Sequence, residues 1–523
     1  MTLLMLTGEP LTVADVVEVA RGRRRAALAE GAAARVGSAR ALIDRVVAQE
    51  RPVYGVTTGF GALSRVTIPP HELSALQHNL VRSHAAGVGE PLPADVVRAM
   101  ILVTAASLAR GASGVRPELI GALLDLLNHD ITPLVPSRGS VGASGDLAPL
   151  AHMALVLIGE GQVLAQTGGQ GAATGDEAGL SPFALRPSSF VSGAQALAGA
   201  GLNPLALEAK EGLALINGTH LMAGSGALLL HDAWRLLRTA EVAAAMSLEG
   251  ALGTHAPLDP RIHALRRQPG QAACADRLRA LLDGSQIPDS HRDDPRVQDP
   301  YSLRCTPQVL GAARDALGYV GQVLEAELGA VTDNPLLFPE QGAILSGGNF
   351  HGQPLATALD LLKIVVAQIA GLSERRTFLL LSAWEPEMHL TPFLTPQPGL
   401  QSGLMVAQYT AAALIAEMRA LAQPASISSL PTSGGMEDWN SMGATSALQA
   451  RQALDMARSV IAIELLCAAQ SLEQHRPLRS GRGVEAAHAQ IRAVVPPLHA
   501  DHPPAPDIAR IERLIGEGVF ELD

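Results

Sequence analysis

The chain has 523 residues, 17% of them charged and 47% hydrophobic, with a mean hydropathy of +0.20. That composition excludes a disordered protein and provides core for roughly two to four domains of ordinary size. A formal net charge of −11 and an isoelectric point near 5.8 argue against a nucleic-acid or anionic-membrane partner, which would call for a basic face. Cys274, Cys305 and Cys467 are widely separated and form no CxxC pair, so neither a disulfide framework nor a zinc site is expected, and a cytoplasmic location fits.

From the N-terminus, residues 1–9 lack the basic and long apolar regions of a signal peptide and read as a short strand and turn. Residues 52–57, 67–69, the segment around 162–166 and a piece near 341–346 look capable of short strands. Most of the remainder has helical period and alanine-leucine composition, most clearly at 221–251, 307–331, 353–376, 403–423 and 441–473. Asp360, Lys363, Gln408 and Glu417 interrupt the most apolar of these, so no membrane span of about twenty uncharged residues is expected. The fold class is therefore all-α with minor β, a bundle of long helices. A glycine-rich, polar stretch at 167–190 reads as an exposed loop, which places a boundary near residue 200: an N-terminal domain over 1–200 and a long-helix bundle domain over 201–523. The breaker-rich run 286–295 reads as an irregular loop leading into Gln298.

Chemistry is suggested first by the run Gly139-Ser140-Val141-Gly142-Ala143-Ser144-Gly145-Asp146-Leu147-Ala148-Pro149. An Ala-Ser-Gly tripeptide can close a five-membered ring through the glycine nitrogen, which needs an unhindered third residue, and serine can then lose water to leave an exocyclic methylidene. Ala112-Ser113-Gly114 repeats the tripeptide, but it follows a helix end and reads as a glycine stop. Tyr54-Gly55-Val56-Thr57-Thr58-Gly59-Phe60-Gly61 packs three glycines around a tyrosine, a tight loop that holds a phenol near a ligand or against a core. Ser83-His84 lies in Leu76-Gln77-His78-Asn79-Leu80-Val81-Arg82-Ser83-His84-Ala85-Ala86-Gly87-Val88-Gly89, where a histidine by itself reads as an ordinary helix residue, and Asn217 in Leu215-Ile216-Asn217-Gly218-Thr219 could cap a helix. Gln298, Tyr301 and Arg304 are three residues apart, on one face if helical, where Arg304 could grip a carboxylate with two parallel bonds. Phe350 lies in Gly347-Gly348-Asn349-Phe350-His351-Gly352, and Glu437 in Thr432-Ser433-Gly434-Gly435-Met436-Glu437-Asp438-Trp439-Asn440-Ser441-Met442-Gly443.

Taken together, these motifs resemble the ammonia-lyases and aminomutases that carry a methylidene-imidazolone group, the histidine, tyrosine and phenylalanine ammonia-lyase family. The resemblance covers most of the chain. It implies the long-helix fold of aromatic ammonia-lyases and fumarase-like proteins, and a 4-methylidene-imidazol-5-one formed from Ala143, Ser144 and Gly145 with no external cofactor or metal. It also implies non-oxidative deamination of an aromatic L-amino acid, and a homotetramer whose sites draw residues from several subunits. It makes Tyr54 the base, Tyr301 a second proton-handling group, Asn217, Gln298 and Arg304 substrate-binding, and Phe350 the aromatic residue beside the electrophile. Ser83-His84 and Glu437 look like the histidine branch, which implies L-histidine as substrate and trans-urocanate as product. Met436, Trp439, Arg419 and Gln401 depart from the family's usual Gln, His, Lys and Asn, and Asn440 looks more like the tyrosine and phenylalanine branch. Tyrosine or phenylalanine ammonia-lyase and 2,3-aminomutase are the alternatives. A serine hydrolase is disfavoured because Gly142-Ala143-Ser144-Gly145-Asp146 is not G-x-S-x-G.

Overall fold

A computed structural model describes residues 2–164, 190–383 and 385–522. The glycine-rich loop expected at 167–190 therefore lies, except for its last residue, outside the described residues. Five long helices dominate, His220–Gly250, Thr306–Leu328, Gln353–Ser382, Met405–Leu421 and Gly443–Glu473, matching the five periodic stretches to within a few residues. Strands are confined to two-stranded ribbons among the described residues: Leu4–Leu6 with Ala26–Leu28, Val88–Pro91 with Pro136–Arg138, Gln162–Leu164 with Phe190–Ser192, and Leu336–Phe338 with Ala343–Leu345.

Two sequence expectations need correction. Residues 52–57 form no strand: Thr57 Oγ1 donates to the Arg51 carbonyl at 2.6 Å and accepts from the Val53 N–H at 2.9 Å, and Gly55 takes φ +67°, so side-chain bonds close a turn where alternation suggested extension. Only an isolated bridge, Thr58 to Thr67, remains of the pairing. The helix Gln353–Ser382 is, by length and composition, apolar enough to cross a membrane, although the interrupting charges suggested otherwise. Its most apolar stretch is 61% buried inside the protein, and Lys363, within it, bonds Asp360 at 2.8 Å and the Gln423 carbonyl at 2.7 Å.

Compactness gathers the chain into two units of three stretches each: residues 1–231, 321–359 and 424–448 in the first, and 232–320, 360–423 and 449–523 in the second. Four of the five points where the chain passes from one unit to the other fall inside a long helix.

The first unit is centred on the helix Ala94–Leu108, in which every residue from Val96 to Leu108 is buried. Arg98 survives there because each nitrogen of its guanidinium has a partner, donating to the carbonyls of Val19, Ala20 and Leu127 and to Asp130 Oδ1 at 3.0–3.2 Å. The second unit has its own buried charges. Arg376 on Gln353–Ser382 and Glu464 on Gly443–Glu473 are both fully buried and paired, with Arg376 Nη2 2.8 Å from Glu464 Oε2 and Ser247 Oγ donating to Glu464 Oε1 at 2.7 Å.

Removing one member of this pair strands a charge in an apolar interior. Arg376→Met is expected to lower unfolding free energy by about 3–5 kcal/mol in chemical denaturation, whereas Arg376→Met with Glu464→Leu recovers most of that loss. A single variant as stable as the wild type would show that Glu464 reaches water or protonates at little cost.

Candidate active site

In the first unit, three helices set the site by where they end. Leu147–Leu157 packs on both Leu73–His84 and Glu211–Ile216, and the last two pack on each other. Their approach is close because Gly212 faces the backbone of Gln77, where a β-carbon would lie 2.6 Å from the Gln77 oxygen. The side-chain oxygen of buried Gln77 then accepts from the Leu213 N–H at 3.0 Å. His84 is the last residue of its helix, Asn217 the C-cap of the second, and Ser144 lies three residues before Leu147 starts the third. Packing three helices thus brings these three side chains to one place.

The Ser144 loop is shaped by backbone contact. Gly145 and Gly218 form a parallel bridge in which the Gly218 N–H donates to the Ser144 carbonyl at 3.2 Å and the Asp146 N–H to the Gly218 carbonyl at 2.8 Å. Gly145 has φ +75°, and a β-carbon there would sit 2.0 Å from the Gly218 oxygen, so both conformation and space demand glycine. On the other side the Met442 N–H donates to the Val141 carbonyl at 2.8 Å and Ser441 Oγ to the Gly142 carbonyl at 3.0 Å. Asp146 is fully buried below, accepting from Ser140 Oγ at 2.9 Å and from the Met222 N–H at 3.0 Å. Burial pushes its carboxyl up to about 7 against those hydrogen bonds. The earlier Ala-Ser-Gly copy differs: Ser113 is fully buried, whereas Ser144 faces a cavity.

That cavity holds about 600 Å³ and is lined by Tyr54, His84, Ser144, Asn217, Phe350 and Glu437, with Leu63, Val66, Leu76 and Leu213 among the apolar walls. Six motifs from distant parts of the sequence therefore meet in one chamber. Ser144 Oγ donates to Glu437 Oε1 at 3.1 Å, and Thr432 Oγ1 donates to Glu437 Oε2 at 2.7 Å. Tyr54 is fixed by the Gly61 N–H, which donates to its hydroxyl at 3.3 Å. His84 Nδ1 lies 2.9 Å from the Leu80 carbonyl, an acceptor only, so the ring proton is on Nδ1 and Nε2 is left as an acceptor. Burial lowers the His84 imidazole below the ordinary histidine value, opposed by that carbonyl and by the charge of Glu437. Asn217 Nδ2 donates to Asp333 Oδ1 at 3.0 Å and to the Asn334 carbonyl at 3.2 Å.

Gln298, Tyr301 and Arg304 belong to the second unit and do not line this cavity. Tyr301 is 70% exposed, and the Arg304 guanidinium lies over its ring at 4.6 Å. Of the residues at which the chain departs from the family pattern, Met436 and Trp439 are exposed, and Asn440 is buried with its N–H accepted by Ser429 Oγ at 2.7 Å. Sequence reasoning passed over Asp146, Lys210, Asp333 and Asn334. The signal was faint: Lys210 stands between Glu208 and Glu211, as a solvated charge would, and Thr332-Asp333-Asn334-Pro335 reads as an ordinary turn.

Comparison with known proteins gives consistent matches. The aromatic amino acid lyase family matches over residues 11–493. A histidine ammonia-lyase of Anaeromyxobacter dehalogenans is 50% identical over 525 residues, covering 100% of both chains. The crystal structure of histidine ammonia-lyase from Trypanosoma cruzi aligns with a TM-score of 0.88 at 38% identity, covering 99% of this chain and 94% of that one. A tyrosine aminomutase from Streptomyces globisporus aligns with a TM-score of 0.91 at 36% identity, covering 99% and 98%.

Two outcomes test the loop. Gly145→Ala is expected to destabilise the protein by at least about 2 kcal/mol in thermal or urea unfolding, since it adds both a disfavoured φ and an overlap; a neutral substitution would mean that the two strands of backbone separate easily. The second concerns pH. An unfolded aspartate titrates near about 4, so a folded carboxyl raised to about 7 binds its proton more tightly. Its contribution to stability is complete below about pH 4 and is lost as pH rises through about 7. Asp146→Asn should therefore gain relative to wild type as pH is raised across that window in denaturation series, whereas a pH-independent difference would show the carboxyl ionised throughout.

Proposed function

Because the chain belongs to the aromatic amino acid lyase family, we infer that it is a histidine ammonia-lyase, a carbon-nitrogen lyase converting L-histidine without oxidation to trans-urocanate and ammonia. The observation that carries the choice of substrate is the pairing of His84 with Glu437 in the wall of the Ser144 cavity. His84 Nε2 and the Glu437 carboxylate are both acceptors, and Glu437 adds a negative charge. An imidazole ring brings an N–H to such a wall, whereas a phenyl ring brings none and leaves His84 Nε2 without a donor.

The remaining roles follow from chemistry and position. Ala143, Ser144 and Gly145 are assigned to a self-formed 4-methylidene-imidazol-5-one, which when present supplies an electrophile that makes the substrate's amino group a better leaving group. What supports this is a glycine already at φ +75°, a small buried Ala143 and a serine hydroxyl directed at the cavity. Tyr54, held at the cavity wall through Gly61, takes the β-proton. Phe350 packs the chamber, and Asn217 contacts the substrate or the electrophile. Gln298, Tyr301 and Arg304 are assigned to the site of another copy in a homotetramer, where Arg304 binds the substrate carboxylate and Tyr301 assists proton movement. The exposure of Gln298 and Tyr301 and the stacking of Arg304 on Tyr301 support that assignment. A cytoplasmic location accompanies this reading, in keeping with three free cysteines, Cys274 and Cys467 among them buried.

Purified protein given L-histidine is expected to produce the ultraviolet absorbance of urocanate, and Ser144→Ala to abolish it. Tyr54→Phe should lower kcat by about 10²–10⁴-fold, and Glu437→Gln should raise KM for L-histidine by about tenfold or more. Cinnamate or coumarate from phenylalanine or tyrosine, with histidine inert, would overturn the substrate. A β-amino acid product would make the enzyme an aminomutase.

A further inference from the structure

The most unusual group near the cavity is one that no step above uses. Lys210 and Asp333 are both fully buried, with Lys210 Nζ 2.6 Å from Asp333 Oδ2. Burial draws the Lys210 ammonium below the ordinary lysine value, against the opposing charge and hydrogen bond of Asp333. Lys210 also takes φ +74°, a left-handed conformation that a side-chain-bearing residue rarely adopts unless its surroundings impose it. A buried ion pair of this kind seldom adds stability over an apolar pair of the same shape. Its use must lie in what it holds.

What it holds is the Asn217 amide. Asp333 Oδ2 accepts from Lys210, and Oδ1 accepts from Asn217 Nδ2 at 3.0 Å and from the Asn334 N–H at 2.6 Å. The second Nδ2 proton goes to the Asn334 carbonyl at 3.2 Å. Both partners of the amide nitrogen are acceptors that cannot donate, so the reverse orientation would set the Asn217 carbonyl oxygen against a carboxylate and a carbonyl. Asn217 lines the cavity with both amide protons used, and Oδ1 is its atom left to meet a ligand. The same turn steadies the opposite wall, because Asn334 Oδ1 accepts from the Gly347 N–H at 2.8 Å in the loop that carries Phe350.

We propose that Lys210 and Asp333 are positioning residues that lock the Asn217 amide so that its oxygen accepts an N–H of the substrate's α-amino group. The proposal rests on the cavity being an amino-acid site, as inferred above, but not on which aromatic ring it takes. An acceptor at that point favours the amine-bearing substrate over the deaminated product, which has no N–H to offer there.

The test is binding, in full-length protein carrying Ser144→Ala so that ligands are not converted. Calorimetry compares L-histidine with imidazolepropionate, and L-tyrosine and L-phenylalanine with their own deamino analogues. Lys210→Met with Asp333→Leu, which removes the pair without stranding a charge, is expected to weaken the amino acid about tenfold and its deamino analogue hardly at all. Lys210→Gln with Asp333→Asn, which restores an acceptor oxygen beside Asn217, should recover most of that affinity. If the apolar double variant fails to fold, Asn217→Leu gives the same comparison, with the same amine-specific loss expected. Equal losses for both ligands, or no loss for the amino acid, would overturn the proposal. Selective binding of tyrosine or phenylalanine by the Ser144→Ala parent would instead overturn the histidine assignment while leaving the amine comparison to be read on that pair. A parent that binds none of the three amino acids would overturn both.

Discussion

The backbone of Gly145 lies so near that of Gly218 that no side chain fits between them, and the site is organised around that contact. It turns the Ser144 carbonyl and the Asp146 N–H toward Gly218 and leaves the serine side chain on the opposite side, facing the cavity. Asn217 precedes Gly218, so the strand that constrains the loop also supplies the neighbouring wall. Asp146, the next residue along, reaches back to the Met222 N–H in the first turn of His220–Gly250. One close approach therefore fixes the serine, the asparagine and the start of a core helix together.

Around this contact the protein places few polar groups and leaves little freedom in any of them. Glu437 is held by Ser144 and Thr432, His84 by its own helix backbone, Tyr54 by Gly61 and Asn217 by Asp333 and Asn334. Apolar walls such as Leu63, Leu76 and Leu213 make each of those bonds matter more, since a buried acceptor without a donor costs about 1–3 kcal/mol. Discrimination among aromatic amino acids then becomes a matter of which ring and which amine can satisfy acceptors that cannot turn away.

Much of this was legible in the chain itself. The five long helices announce themselves because alanine and leucine at helical period need no partner to be recognised. The motifs that meet in the cavity could be named because together they resemble those of the aromatic ammonia-lyases; taken singly, Phe350 reads as a core residue and Glu437 as a solvated turn residue. The turn at 52–57 was hidden because it depends on the Thr57 side chain bonding the backbone of Arg51 and Val53, which the alternation of the sequence does not show. Lys210 and Asp333 were hidden for another reason: they lie 123 positions apart, and a buried ion pair leaves no periodic trace. The interleaving of the two compact units was likewise invisible, since the chain passes between them mostly within helices, whose periodic pattern runs on unbroken.

The loop around Ser144 also has an order in time. Its shape is borrowed from residues made long after it: Gly218 and Met222 on one side, and Ser441 and Met442 on the other. A ribosome that has finished the serine must still make roughly three hundred residues, about 15–60 s of synthesis at about 5–20 residues per second, before the last of those partners exists. Until then Ala143-Ser144-Gly145 is an ordinary stretch of peptide, and the conformation of the folded loop has none of the contacts that hold it on that side.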